Sequence, residues 1–210
     1  MNGAVVLIAC ALVGLCAAAE VPPRPVVGRD CRAHQLQVDE SHLLGAWRPH
    51  CDADGSYSAL QSHGSTGMSF CVDKLGTTIF PPRRGLKACA CPRERNDKLQ
   101  NMMIGSFIPQ CDQDGTYAAQ QVWGSTGMTR CVREDGTTIL EGRQVRACKC
   151  PRAADAAPQM PGAFRPQCEA DGTFRPRQSH GSTGYSWCVN QEGVAITAQV
   201  PPAQAATLNC

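Results

Sequence analysis

One phrase is written three times along this chain of 210 residues, and it limits the fold more than any other feature. The first copy runs Trp47-Arg48-Pro49-His50-Cys51-Asp52-Ala53-Asp54-Gly55-Ser56-Tyr57, followed by Gln61, Gly64-Ser65-Thr66-Gly67 and Cys71-Val72. The second starts at Phe107 and carries Pro109, Cys111, Asp114-Gly115, Tyr117, Gln121, Gly124-Ser125-Thr126-Gly127 and Cys131-Val132. The third starts at Phe164, with Pro166, Cys168, Asp171-Gly172, Phe174, Gln178, Gly181-Ser182-Thr183-Gly184 and Cys188-Val189. Successive copies begin 60 and 57 residues apart, so each marks one small domain.

The cysteines follow the same division. Residues 1–19 are an apolar run without a charged residue, ending in Ala17-Ala18-Ala19 before Glu20. This reads as a secretory signal peptide cleaved near Ala19. A membrane anchor is the weaker reading, because the run lacks flanking basic residues and ends in a cleavable sequence. The expectation is a secreted, extracellular chain with residues 20–30 as a linker. Two of the 14 cysteines, Cys10 and Cys16, leave with the signal. The remaining twelve, in an oxidising compartment, imply a disulfide framework. Cys31, Cys51, Cys71 and Cys89 fall in a first unit, 31–89. Cys91, Cys111, Cys131 and Cys148 fall in 91–148, and Cys150, Cys168, Cys188 and Cys210 in 150–210. The C-x-C pairs Cys89/Cys91 and Cys148/Cys150 become the junctions. Four cysteines allow three pairings, and the residues alone do not choose among them. If chain neighbours pair, each bridge closes about 20 residues and contributes roughly 3 kcal/mol. A unit of this size has too small a core to dispense with that help.

The Asp-Gly pairs are hairpin-turn signals, with short strands expected around residues 56–61 and 68–72 of the first unit. Residues 32–44 and 93–104 suit short helices, whereas 152–162 is disfavoured by Pro158 and Pro161. The fold class is a loop-rich, disulfide-held small α+β domain, three in tandem. A net charge of +2 with interspersed signs excludes a nucleic-acid partner. There is no N-x-[ST] sequon.

An aromatic residue, x-Pro-x-Cys, an Asp-Gly turn, Tyr or Phe, Gln, G-S-T-G and C-V together resemble the thyroglobulin type-1 repeat, over nearly all of residues 31–210. The resemblance implies a short helix with a small antiparallel sheet in each unit. It also implies cysteines bonded in order: Cys31–Cys51, Cys71–Cys89, Cys91–Cys111, Cys131–Cys148, Cys150–Cys168 and Cys188–Cys210. One departure is systematic. Family members usually have six cysteines per repeat, and the two missing here are bonded to each other in the family. Their places are taken by Ser62 and Ser69, Val122 and Thr129, and Ser179 and Ser186. Both partners are absent together, so no thiol is orphaned.

Several repeats of this family inhibit papain-like cysteine proteases, and some multi-repeat members also inhibit aspartic proteases, through three loops that enter the active-site cleft as a wedge. The resemblance places those loops before the x-Pro-x-Cys phrase, at G-S-T-G and near the second Gly turn. In the first unit these are Leu44-Gly45-Ala46-Trp47, His63-Gly64-Ser65-Thr66-Gly67 and Leu75-Gly76-Thr77. The G-S-T-G counterparts are Trp123-Gly124-Ser125-Thr126-Gly127 and His180-Gly181-Ser182-Thr183-Gly184. Glycine flanks let backbone approach a narrow cleft, and the hydroxyls of Ser65 and Thr66 are available to bond there. A plain hairpin turn kept for its geometry remains open as a second reading. The implied partners are papain-like cysteine proteases, with an aspartic protease as a second class, for a monomeric inhibitor. The alternative is a non-inhibitory extracellular binding or matrix protein. Catalysis is the least supported class: there is no G-x-S-x-G elbow and no thiol left over. Asp52-Ala53-Asp54-Gly55 reads as a turn before a calcium loop, and no metal or cofactor is expected.

Overall fold

The computed structural model describes residues 30–210. The expected signal segment at 1–19 and residues 20–29 of the expected linker lie outside the described residues. The elements repeat: helix α1 (Cys31–Ser41), strands β1 (Leu60–His63), β2 (Met68–Val72) and β3 (Thr78–Arg83); then α2 (Ala90–Gln100), β4 (Gln120–Trp123), β5 (Met128–Val132) and β6 (Thr138–Gly142). The third repeat has α3 (Lys149–Ala156), β7 (Arg177–Ser179), β8 (Ser186–Cys188) and a 3-10 helix, Pro202–Thr207. Each of the first two repeats has a three-stranded antiparallel sheet in sequence order, and the third has two strands. In place of a third strand, Val200 makes a single bridge to Ser186.

Local chemistry sets the helix limits. Asp30 caps α1 by accepting a bond from the Arg32 amide, and the chain leaves through His42 at φ 50°. Helices α2 and α3 start on the C-x-C junctions with Pro92 and Pro151 in their first turn. A first-turn amide has no acceptor within the helix, so proline there removes no bond. That is why a helix forms in the third repeat despite its disfavoured stretch. It begins upstream at Lys149 and stops at Ala156, ahead of Pro158, with Ala157 already extended at ψ 142°.

The Asp-Gly pair closes a small loop flanked by a single bridge instead of the expected strands. The Asp52 amide donates to the Ser56 carbonyl, the Gly55 amide donates to the Asp52 carbonyl, and Cys51 makes one bridge to Tyr57. The first regular strand then begins only at Leu60, and the hairpin proper runs on G-S-T-G, pairing His63 with Met68. The third strand gave no clear pattern because it is an edge carrying Pro81 and Pro82, which fall where the register slips between Phe80 and Arg83, so the missing amides sit at a bulge.

Six bridges join Cys31 to Cys51, Cys71 to Cys89, Cys91 to Cys111, Cys131 to Cys148, Cys150 to Cys168 and Cys188 to Cys210. In each repeat one bridge ties the helix start to the Asp-Gly loop and the other ties the middle strand to the repeat's last segment. The cystines are themselves core: Cys31 packs with Tyr57 and Val72, and Cys71 with Leu86 and Cys89. Beside them lies a buried glutamine. The Gln61 amide accepts from the His50 amide at 2.8 Å and donates to the carbonyls of His50 and Ser58. Gln121 and Gln178 make the same three bonds to Gln110 and Ala118, and to Gln167 and Arg175. A buried amide is tolerated only when satisfied in this way.

Successive repeats are docked onto each other. Arg93 of α2 reaches back to the carbonyls of Tyr57 (2.7 Å) and Val72 (3.2 Å). Arg152 of α3 does the same to Tyr117 at 2.9 Å. The amides of Lys87 and Ala88 both donate to the Asp114 carbonyl, and those of Arg146 and Ala147 to Asp171. The approach is so close that a Cβ on Gly115 would stand 1.8 Å from the Ala88 carbonyl oxygen, in a residue already at φ +81°. Gly115→Ala should therefore destabilise the chain by about 2 kcal/mol or more. Gly124→Ala, with nothing within 4 Å of its added carbon, should leave the thermal midpoint unchanged. The same junction has an acid limit. The Thr116 hydroxyl, then the Lys87 ammonium 2.9 Å away, hold the Asp114 carboxyl down at about 2. A depressed carboxyl stabilises the fold fully above its ordinary value of about 4. That contribution is lost as pH falls towards about 2. Acid titration of Asp114→Asn should lack this component.

Candidate functional site

The loop after each helix and the G-S-T-G hairpin meet at one end of each repeat. After α1 the Ala46 amide donates to the Leu43 carbonyl, closing a four-residue turn with Leu44 and Gly45 at its centre. Ser106 to Met103 and Ala163 to Met160 close the same turn around Ile104-Gly105 and Pro161-Gly162. Glycine stands third in each turn with φ between +78° and +83° (Gly45, Gly105, Gly162), the arrangement of a type II turn. The second position, Leu44 or Ile104, is pushed out and fully exposed.

The hairpin braces this turn. The Ser125 hydroxyl donates to the Gly105 carbonyl at 3.2 Å, and Ser182 to Gly162 at 3.1 Å. In the first repeat Ser65 lies against Gly45 and its hydroxyl bonds His63 Nδ1 at 2.9 Å. The threonines serve the hairpin itself: Thr66 and Thr126 accept from the amides of Met68 and Met128, and Thr183 from Tyr185. The Ser and Thr hydroxyls, expected from the sequence to face a partner, are thus engaged within the loops. What projects is apolar.

Aromatic packing fixes the base of the site. The ring of Trp47 lies 5.3 Å from Phe70, and Phe164 lies 5.0 Å from Trp187. The second repeat changes partners: Arg130 stands where the others have an aromatic, and Trp123 stands where they have His63 and His180. Trp123 therefore packs on Phe107 with ring centroids 4.3 Å apart, and the Arg130 guanidinium lies 4.4 Å from the centre of the Trp123 ring. Beside it is an open cavity of about 400 Å³ bordered by Glu94, Lys98, Tyr117 and Trp123. The Tyr117 hydroxyl donates to the Glu94 carboxylate. Burial, then that carboxylate, push its ionisation upward.

Residues 44–47 and 63–67 are brought together, as are 123–127 with Gly105 and 180–184 with Gly162. Residues 75–77 are not. Leu75 borders Asp30, Cys31, Asp54 and Gly55, at the start of α1. The turn at Leu43 follows the helix end, about 16 Å away along eleven residues. The third segment at the hairpin end is instead the chain leaving β3, where Arg84 donates to the Thr66 carbonyl at 3.3 Å. In the third repeat it is Pro202, packed over Gly184. Sequence reasoning passed over Leu43, Met103, Ile104 and Met160. Their signal was an apolar pair or triplet immediately before a glycine and the phrase's aromatic residue.

The family profile of the thyroglobulin type-1 repeat matches residues 29–91, 89–150 and 149–210. Equistatin of Actinia equina is 31% identical over 185 residues, covering 79% of this chain and 80% of that protein. U20-hexatoxin-Hi1a of Hadronyche infensa is 40% identical over 122 residues, covering 56% of this chain and 80% of the toxin. Thyroglobulin of Rattus norvegicus is 28% identical over 176 residues, which are 77% of this chain but 6% of that protein.

The hairpin's missing staple has a visible substitute. Ser62 faces Ser69 across the ladder with hydroxyls 3.0 Å apart, and Ser179 faces Ser186 at 2.9 Å. Val122 faces Thr129 in the second repeat. Directly opposed residues are within bridging range. Ser62→Cys with Ser69→Cys should therefore close a new bridge, detectable as loss of both thiols, and stabilise the chain by about 2 kcal/mol.

Proposed function

The chain belongs to the thyroglobulin type-1 repeat family, and on that premise we propose that it is a secreted inhibitor of papain-like cysteine proteases, blocking the active-site cleft reversibly with the hairpin ends of its repeats. The observation that carries this reading is the pair of fully exposed apolar residues, Leu44 and Ile104, held out on turns of which the second is braced by the Ser125 hydroxyl and the first lies beside Ser65. Exposed leucine and isoleucine gain nothing in the free protein. Burying each against a cleft wall contributes about 1.5–3 kcal/mol. The ordering cost of binding is lowered by bridges and by the serine-to-carbonyl bonds. An aspartic protease as the target of one repeat is the second partner class. The tips differ in a way that would serve two targets: Leu43-Leu44, Met103-Ile104 and Met160-Pro161. Secretion is supported by twelve cysteines all held in bridges, which suits an oxidising compartment.

A non-inhibitory extracellular binding role is favoured by one observation. In thyroglobulin the matching stretch is 6% of a much larger protein, so such repeats also serve as parts of something else. Purified chain assayed against papain-like proteases separates the two. The first reading expects nanomolar reversible inhibition. Leu44→Asp or Ile104→Asp, whichever lies on the working repeat, should weaken it about tenfold or more. Leu75→Asp, at the other end of the repeat, should not. Absence of inhibition at micromolar chain would leave the second.

A further inference from the structure

The sulfur atoms of this protein divide into two populations. Among the described residues all twelve cysteines are bridged. The sulfurs that remain in a lower oxidation state are the thioethers of Met68, Met102, Met103, Met128 and Met160. Methionine is ordinarily a filler of apolar cores. Here the buried cores are built from cystine, valine, leucine and aromatic rings, and no methionine is among them. Met103 and Met160 open the turn after a helix, Met102 directly precedes one, and Met68 and Met128 are the first residues of the strands leaving the hairpins.

The turn's first position is the telling one. It is Leu43 in the first repeat, Met103 in the second and Met160 in the third, each with its carbonyl closing the turn. Their exposures are nearly equal at 70%, 74% and 68%. The backbone is thus the same, the side chains are similar in size, and two of the three are oxidisable. Met128 is half-buried and Met68 less exposed than the turn methionines.

We propose that Met103 and Met160 are oxidation sites through which hydrogen peroxide weakens the tips of the second and third repeats while sparing the first, whose Leu43 has no sulfur. The sulfur lone pair attacks one peroxide oxygen and the O–O bond breaks as the S–O bond forms. The departing hydroxide takes up the proton to leave water. The thioether loses two electrons and the peroxide gains two. The sulfoxide is polar, so seating it on an apolar cleft wall without a donor opposite weakens binding by about tenfold or more. The switch rests on the inhibitory reading given above, whereas the modification site does not.

The native full chain is treated with dilute hydrogen peroxide, and each methionine peptide is followed by mass. Met103 and Met160 should gain one oxygen several-fold faster than Met128, and equal rates would overturn the site. Inhibition is then measured before and after oxidation for the parent chain and for Met103→Leu/Met160→Leu, each compared with itself. The parent should lose about tenfold and the leucine chain should hold its starting value. Complete oxidation of both residues with inhibition unchanged, or an equal loss in the leucine chain, would overturn the switch. A chain that inhibits nothing before treatment overturns the inhibitory reading and the switch with it, while the order of oxidation still decides the modification site.

Discussion

Two cystines per repeat are the constraint from which the rest follows. A repeat of about sixty residues cannot bury enough apolar surface to offset the entropy of ordering its loops. The bridges reduce that entropy in the unfolded chain, and their sulfur atoms also occupy the centre of the core beside Val72, Tyr57 and Leu86. With the core settled covalently, the surface is free to carry turns whose side chains contribute nothing to folding. Leu44 and Ile104 are affordable in that sense: the fold does not depend on them.

Polar groups do the second half of the work, and they are divided by position. The buried amide of Gln61 locks the proline-cysteine segment onto the first strand, where no water is at hand to take its bonds. The exposed hydroxyls of Ser125 and Ser182 hold one loop against another at the surface. Opposed serines stand where relatives of this family carry a bridge. A hydroxyl pair in water contributes little to stability. It does keep the two strands in register, and it leaves the hairpin able to give.

Much of this was legible from the residues. The threefold phrase and the partition of cysteines carried the repeat number and the fold class. Pairing of the cysteines was beyond the residues themselves, since three solutions satisfy four thiols, and only the family resemblance suggested an order. The hairpin was placed too early because Asp54-Gly55 has the chemistry of a two-residue turn, although its neighbours Cys51 and Tyr57 make only one bridge. Leu75 was grouped with the other two loops because a sequence does not say at which end of a helix a distant turn lands. Leu44 was placed among the contact residues, whereas Leu43, Met103, Ile104 and Met160 were passed over for a related reason: apolar residues shortly before an aromatic one look like core until the turn's glycine is seen to throw them outward.

The docking of one repeat onto the next is reciprocal. Arg93 and Arg152 each reach towards the repeat that precedes them, and Ala33 occupies the corresponding place in the first. In the other direction Arg83 donates to the Gln113 carbonyl at 2.8 Å, and the amides of Lys87 and Ala88 donate to Asp114. A repeat removed from either end of the array therefore leaves donors of its neighbour facing water. The three are held as a run of mutual clasps, with no end from which the array can be shortened without loosening a joint.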